Sequence, residues 1–312
     1  MTKIAKPVGA LVASAVLATT SLAPGIGWAC ACGCGVFDVG TSAMLPTGSG
    51  GTAYIEYDFM DQNRNWSGTA AAPASNNDDK EIRSHFFTAG FQYMIDHDWG
   101  VMADIPFWDR TFRTTDDGGN VVSFRHADLG DVRIRGMYTG FSADMSSGVT
   151  FGLKLPTGNY TYPNFDRDTA IGTGSVDALL GAFGQGALTD EQSWTWFVQG
   201  NLDVPMLTQG DYRPGGEIDA AAGTYYRGWS LGGDVRLTPV VQTIASYRFR
   251  DRGAAGLPND SGYRRLLLSP GLELDMGDFR VYGDVEVPVY QQVNGNQLTA
   301  EILSKVILAY RF

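Results

Sequence analysis

The chain has 312 residues, with 34 acidic and 23 basic side chains and a net charge of −11. This acidic balance argues against binding of nucleic acid through phosphate contacts, and we predict no nucleic-acid partner. The composition is 44% hydrophobic, 12% aromatic and only 18% charged, which excludes a disordered chain. Together with 40 glycines, it favours an all-β architecture with short turns.

The N-terminal residues have the pattern of a secretory signal peptide. Two lysines precede an apolar run over residues 8–22, and small residues follow up to Ala29. We therefore predict a signal peptide over residues 1–29, whose removal leaves Cys30 at the start of the mature chain. No later stretch has the roughly 18 consecutive apolar residues that would indicate a membrane-spanning helix.

All three cysteines, Cys30, Cys32 and Cys34, lie in a Cys- and Gly-rich segment over residues 30–51. Three thiols cannot all pair within one chain. Lipidation of Cys30, a soft-metal site, and a redox or intermolecular disulfide in the oxidising periplasm stay open as explanations. A metal held by these thiolates is the only cofactor that the sequence suggests.

After this segment, the chain alternates apolar and polar residues in about a dozen stretches. Over residues 53–59, for example, Ile55 falls on one face and Glu56 on the other. A period of two indicates β-strands. The longest stretch, residues 231–249, is predicted as one strand with a bulge at Pro239, because proline cannot donate a ladder hydrogen bond.

The lengths of the connections indicate which kind of sheet these strands form. Short turns, such as residues 96–100 and 277–278, alternate with long polar stretches, such as 113–129 and 159–173. Short turns at one end and long loops at the other are typical of outer-membrane barrels. We predict a single antiparallel transmembrane β-barrel of about 12 strands over residues 52–312.

The last predicted strand supports the same interpretation. Val306, Leu308, Tyr310 and Phe312 share one face, and the chain ends on the aromatic residue. This ending resembles the assembly signal of bacterial outer-membrane barrels. We therefore predict localisation in the outer membrane of a Gram-negative bacterium, with membrane lipid and the barrel-assembly machinery as partners.

The polar faces of the strands predict the lining of the barrel lumen. Acids outnumber bases on these faces, so an open lumen would weakly favour cations. Charges of both signs could instead pair across the interior and narrow or close it. The candidate lining residues are Asp104, Asp131, Arg133, Arg135, Lys154, Asp203, Asp234, Arg236, Arg248, Arg250, Glu273, Asp284, Glu286, Glu301 and Lys305.

Three motifs carry a family resemblance: Ala-Asp-Leu-Gly-Asp-Val-Arg at 127–133, Leu-Lys-Leu-Pro-Thr-Gly at 153–158, and Ile-Gly-Thr-Gly-Ser-Val-Asp at 171–177. Together they resemble the outer-membrane transporter family named for the MetA pathway of phenol degradation. The resemblance implies a barrel that passes hydrophobic or aromatic compounds.

A catalytic site is not expected. His85, His97 and His126 are scattered, and no Ser or Cys has the spacing of an activated nucleophile. We therefore predict a non-enzymatic channel or transporter that passes small molecules, with hydrophobic or aromatic compounds as candidates, by passive diffusion. The alternative is a closed structural barrel whose Cys-rich N-terminus binds metal or docks a periplasmic redox partner.

Overall fold

The computed structural model describes residues 46, 48, 50–189, 191 and 193–312. Within these residues the chain is all-β, apart from a short 3-10 turn over Ala74–Asn76, so the predicted all-β architecture is confirmed. No helix in the described part is long and apolar enough to cross a membrane. The predicted signal peptide and the three cysteines lie outside the described residues.

The described residues form fourteen strands. They are β1 (Gly50–Gly68), β2 (Ala70–Ala71), β3 (Asp79–Met94), β4 (Trp99–Thr115), β5 (Val121–Leu129), β6 (Val132–Tyr138), β7 (Ser147–Leu155), β8 (Ser175–Ala187), β9 (Trp194–Thr208), β10 (Glu217–Tyr226), β11 (Trp229–Gly232), β12 (Val235–Arg248), β13 (Tyr263–Met276) and β14 (Phe279–Arg311).

Eleven of these strands form a closed antiparallel ring. The ring closes through pairing of β14 with β1 and of β10 with β12, whereas β2, β5 and β11 extend individual ring strands. The last strand, β14, is 33 residues long. Its residues 279–293 pair with β13 and its residues 293–311 pair with β1, both antiparallel. The strand therefore runs from one end of the barrel to the other and back.

The two ends of the barrel differ in their connections. Gly50, Phe312 and the two-residue turn between β13 and β14 lie at one end, which we call the turn end. The opposite end, the loop end, carries the connections of residues 156–174 and 249–262. This segregation is the one that the sequence predicts.

Two strand predictions are wrong. The predicted loop over 113–129 contains instead the end of β4 and the whole of β5, which pair with each other as a hairpin. The predicted strand 231–249 is broken after Gly232, which has a φ of 104° that favours glycine. Pro239 causes no bulge, because β12 keeps a continuous register with β13 there. Proline has no backbone N–H, but Pro239 loses no hydrogen bond to β10, because the pairing of β12 with β10 ends at Val240.

Along the strands, apolar side chains on the outer face of the barrel alternate with polar side chains on its inner face. Ile55, Ile105 and Leu308 are about half exposed on the outside, at 58%, 48% and 48%, whereas Asp58 and Lys305 are buried inside at 2% each. An apolar outer wall around a polar interior reverses the pattern of a soluble sheet protein and is the arrangement of a membrane-spanning barrel.

The interior is not entirely polar. A central cluster includes Met60, Phe86 and Leu303, and a second cluster includes Phe197 and Tyr282. These large side chains fill the inside of the barrel together with the charged residues, so the barrel is packed over much of its interior.

Candidate functional site: the barrel interior and its inward loop

One buried carboxylate ties the three sequence motifs together. Asp131 lies in the break between β5 and β6, where the Gly130 N–H donates to the Pro106 carbonyl oxygen at 2.8 Å. The Asp131 carboxylate accepts hydrogen bonds from the Gly158 N–H at 3.0 Å and the Thr173 N–H at 2.8 Å. The Thr173 hydroxyl donates to it as well, at 2.6 Å. Both ends of the connection between β7 and β8 are thus attached to one side chain.

The glycines of these motifs permit the close approach of the two loop ends. A Cβ on Gly172 would lie 2.2 Å from the Gly158 carbonyl oxygen, so only glycine fits there. The Thr157 hydroxyl donates to the Gly130 carbonyl oxygen at 2.8 Å and accepts from the Val132 N–H at 2.9 Å. The motifs that carry the family resemblance therefore form a loop anchor.

From this anchor, residues 156–174, which we call the inward loop, enter the barrel. Arg110 is fully buried and donates to the carbonyl oxygens of Thr169 at 2.7 Å and Ala170 at 3.3 Å. Its guanidinium also lies 4.9 Å from the Trp108 ring centroid. Arg110 is absent from the predicted lining residues, although it shares the parity of the predicted lining residue Asp104 on β4.

An aromatic cluster lies between the inward loop and the β4–β5 hairpin. It comprises Phe112, Phe124 and His126 of the hairpin and Tyr162 and Phe165 of the loop. Phe112 and Phe165 meet edge to face at 5.7 Å, and His126 stacks on Tyr162 at 4.2 Å. Burial and the neighbouring Asp128 carboxylate raise the pKa of the Tyr162 hydroxyl.

The barrel wall is incomplete beside this aromatic cluster. Among the described strands, β5 pairs with β4 alone, whereas β6 pairs with both β4 and β7. At the loop end of the hairpin, the edge of β5 that faces away from β4 therefore pairs with no other described strand. An apolar, aromatic-lined region lies next to this edge at the loop end of the barrel.

Below the inward loop, charged side chains form a belt of ion pairs across the interior. Lys154 bridges Asp177 and Asp203, with its Nζ 2.7 Å from the Asp203 carboxylate, and Arg135 pairs with Asp104. The predicted lining residues that the structure buries or half-buries are Asp104, Asp131, Arg133, Arg135, Lys154, Asp203, Arg248, Glu273, Asp284, Glu286 and Lys305.

More pairs extend the belt toward the turn end. Lys305 lies 3.7 Å from the Glu56 carboxylate and 3.8 Å from that of Asp58. The Asp284 carboxylate accepts hydrogen bonds from the Ser269 and Tyr282 hydroxyls, each at 2.8 Å. The partners of these charges come largely from neighbouring strands, and the charges fill the interior.

The other four predicted lining residues are exposed and lie outside the charge belt. Asp234 lies in the turn between β11 and β12, and Arg236 follows at the turn end. Arg250 lies beyond the end of β12, in the loop that follows. Glu301 lies 2.7 Å from Arg64, with both side chains more than half exposed. The bulges between β1 and β14 change the parity there, so that a residue predicted inside points outside.

One cavity between the inward loop and the charge belt is small. A cavity of about 40 Å³ is lined by Asp131, Lys154, Asp177 and Arg248, among others. This volume has room for a few water molecules. The prediction that paired charges narrow the lumen fits this geometry better than a wide polar pathway does.

The remaining predicted features lie apart from this site. His85 faces Tyr57 at 2.9 Å, His126 belongs to the aromatic cluster, and His97 lies in the β3–β4 turn, so the histidines do not converge. Within the described residues, no group of three or more His, Cys, Asp or Glu side chains could hold a metal ion. The candidate metal ligands Cys30, Cys32 and Cys34 lie outside the described part, and their role stays a prediction.

The predicted assembly signal lies on the outer wall, at the seam between the first and last strands. Val306, Leu308, Tyr310 and Phe312 are 42–57% exposed. Phe312 and Gly51 exchange backbone hydrogen bonds of 3.0 and 2.8 Å. Recognition of these residues by the assembly machinery stays a prediction.

No protein-family model matches the chain, and no curated protein matches it by sequence. Among solved structures, it is similar to an outer membrane channel from Pseudomonas putida F1, with a TM-score of 0.65 and 13% identity, over 88% of this chain and 100% of that one. It is also similar to the beta domain of a Bordetella autotransporter, with a TM-score of 0.51 and 10% identity, over 85% of this chain and 100% of that one.

At these identities the likeness concerns the fold, and the fold is that of an outer-membrane β-barrel. The resemblance to the MetA-pathway family is not confirmed by a family model and stays a prediction.

Proposed function

We propose that the protein is an outer-membrane channel through which small hydrophobic or aromatic compounds cross by passive diffusion. The observation that carries this proposal is the aromatic cluster between the inward loop and the β4–β5 hairpin, beside the edge of β5 that pairs with no second strand among those described. An apolar compound arriving at the loop end would meet aromatic faces there, which favour aromatic guests by offset and edge-to-face contact.

The charge belt supports the same function, because it disfavours a water-filled path along the barrel axis. Paired charges and large side chains fill the interior below the inward loop, and a water-filled path for polar solutes would require that these groups separate. Polar solutes are therefore poor candidates for the cargo.

The membrane topology follows from the strand pairing. In this proposal, the two halves of β14 supply two crossings, and β5 and β6 together supply one, so that the eleven-strand ring would cross the membrane twelve times. An even number of crossings places both Gly50 and Phe312 at the periplasmic end, with the inward loop at the cell surface.

A matched pair of variants tests the proposed route. Phe124→Ser with Phe165→Ser removes two rings of the aromatic cluster, and Phe141→Ser changes an exposed ring in a turn at the opposite end. Cells with an intact outer membrane should take up a labelled apolar aromatic hydrocarbon through the wild type and Phe141→Ser, but at background level through the double variant. Undiminished uptake by the folded double variant would contradict the route.

The buried ion pairs also favour a second candidate, a closed barrel whose Cys-rich N-terminus binds metal or docks a periplasmic redox partner. Replacing Cys30, Cys32 and Cys34 by Ser tests it. This candidate predicts loss of a co-purifying metal or protein, with hydrocarbon uptake at background level in both the wild type and the variant. The channel predicts uptake through the wild type.

A further inference from the structure

An open cavity of about 340 Å³ lies at the loop end, where β12, β13 and β14 meet the loop that follows β12. Four of its lining residues are arginines, and none of the described lining residues is acidic. This is unusual for a chain whose net charge is −11. The cavity is lined by Tyr247, Arg248, Phe249, Arg250, Arg252, Tyr263, Arg264, Gln292 and Asn294.

The strand register places much of the cavity wall on the outside of the barrel, whereas Arg248 and Tyr263 are buried. Arg264 lies opposite Tyr247 on β12 and Gln292 on β14, and its guanidinium is 5.3 Å from the Tyr247 ring centroid. The Arg250 guanidinium donates to the Asn294 side-chain oxygen at 3.1 Å.

Four other arginines near the loop end have acidic partners, in the pairs Arg64–Glu301, Arg83–Asp61, Arg113–Glu81 and Arg125–Asp109. Arg250, Arg252 and Arg264 pair with no carboxylate among the described residues. Their sequence neighbour Asp251 is fully buried and accepts hydrogen bonds from Arg248, Tyr212 and Gly215 instead. Three guanidinium groups are thus gathered without a counter-charge.

The surroundings of the cavity point to the class of ligand. Toward the turn end, the outer wall continues with Val241, Leu268 and Tyr290, which are 43%, 43% and 46% exposed. A ligand that places an anionic group among the arginines would therefore lay its remaining part along an apolar wall. Arginine is suited to phosphate, because its planar fork of donors matches two phosphate oxygens.

We propose that this cavity binds the phosphate groups of a lipid headgroup in the outer leaflet of the outer membrane, with the acyl chains along the apolar wall. The proposal rests on the membrane placement given under the proposed function. It adds a lipid site on the outside of the barrel, separate from the route of the cargo.

The test uses the refolded full-length mature protein and three probes: bis-phosphorylated lipid A, the same lipid without its phosphates, and inorganic phosphate. The variant Arg250→Gln, Arg252→Gln, Arg264→Gln is compared with the control Arg64→Gln, Arg83→Gln, Arg125→Gln. Native mass spectrometry should show a rise of about tenfold or more in the Kd of phosphorylated lipid for the first variant. The control should stay within about twofold of the wild type, because its arginines are already paired.

Equal binding by the first variant and the wild type would overturn the proposal, as would equal binding of the dephosphorylated lipid. Displacement of the lipid by inorganic phosphate at equal concentration would assign the site to a soluble anion and would also overturn it. If the triple variant does not fold, Arg264→Gln alone should weaken binding by about threefold. Absence of the wild type from outer-membrane fractions would instead contradict the membrane placement, so the two failures are distinguishable.

Discussion

At the scale of single residues, Asp131 has the largest structural role in the site. It is buried at 5% exposure and accepts hydrogen bonds from both ends of the inward loop. Its motif could be recognised from sequence, and so could its inward parity. Its partners could not, because they lie 27 and 42 residues away and no local periodicity encodes such a distance.

Asp131→Asn should destabilise the folded barrel by about 1–3 kcal/mol, because the neutral amide accepts hydrogen bonds less strongly and its NH₂ group faces donors. The measurement is urea-induced unfolding in detergent. Asp116→Asn is the control, since Asp116 accepts backbone hydrogen bonds within one exposed turn. Equal destabilisation by the two substitutions would contradict the role of Asp131 as the loop anchor.

His97 reports on contact between two turns at the turn end. Its Nδ1 lies 2.7 Å from the Asp98 carboxylate, and its Nε2 lies 3.0 Å from the Ala143 carbonyl oxygen. The hydrogen bond with Asp98, followed by that with Ala143, raises the pKa of the imidazole above its ordinary value. The contact should therefore be fully formed below the ordinary histidine pKa and should weaken as the pH rises through the raised value.

An NMR titration of the His97 ring checks this prediction. The wild-type pKa should exceed the ordinary value of about 6.5, and Asp98→Asn should bring it back toward that value. A wild-type pKa at or below the ordinary value would contradict the hydrogen bonds of His97 with Asp98 and Ala143.

At the scale of elements, the sequence predicts the strands and turns well and the inward loop poorly. The period of two reveals most of the strands, and polar connections reveal most of the turns. The predicted loop over 113–129 is instead a hairpin. Its apolar and polar residues alternate less clearly than those of the predicted strands, and pairing of β5 with β4 stabilises it. The path of residues 156–174 into the barrel depends on Arg110 and Asp131, which are distant in sequence.

The inward loop should also respond to pH. Asp166 lies within it, and its pKa is raised by burial and by the charge of Asp78. The protonated form is therefore favoured when the loop is docked, so docking should be strongest below the ordinary aspartate pKa and should weaken as the pH rises through the raised value.

Hydrogen exchange of loop amides at a series of pH values, corrected for intrinsic exchange rates, measures this docking. Protection should fall as the pH rises in the wild type and should stay nearly constant in Asp166→Asn. The same pH dependence in both proteins would contradict a contribution from Asp166.

At the scale of the whole molecule, the closed barrel follows from properties that are visible in the sequence: alternation, segregated connection lengths and an apolar outer face. The state of the lumen does not, because a charge on the inner face has the same parity whether it is paired or hydrated. The structure shows that Lys154 and Arg135 are paired, and that apolar residues such as Met60 and Leu303 fill inner positions. These interior side chains thus stabilise the barrel and also occupy the space that a water-filled pore would need.

The most direct test of this account is the single-channel conductance of the refolded protein in a planar bilayer, after heat-modifiable migration on a gel has shown that the barrel is folded. The account predicts very small steps or none, because the charge belt and the inward loop occupy the interior. Large, stable steps that scale with the conductivity of the bulk solution would show a water-filled pore and would contradict a closed lumen.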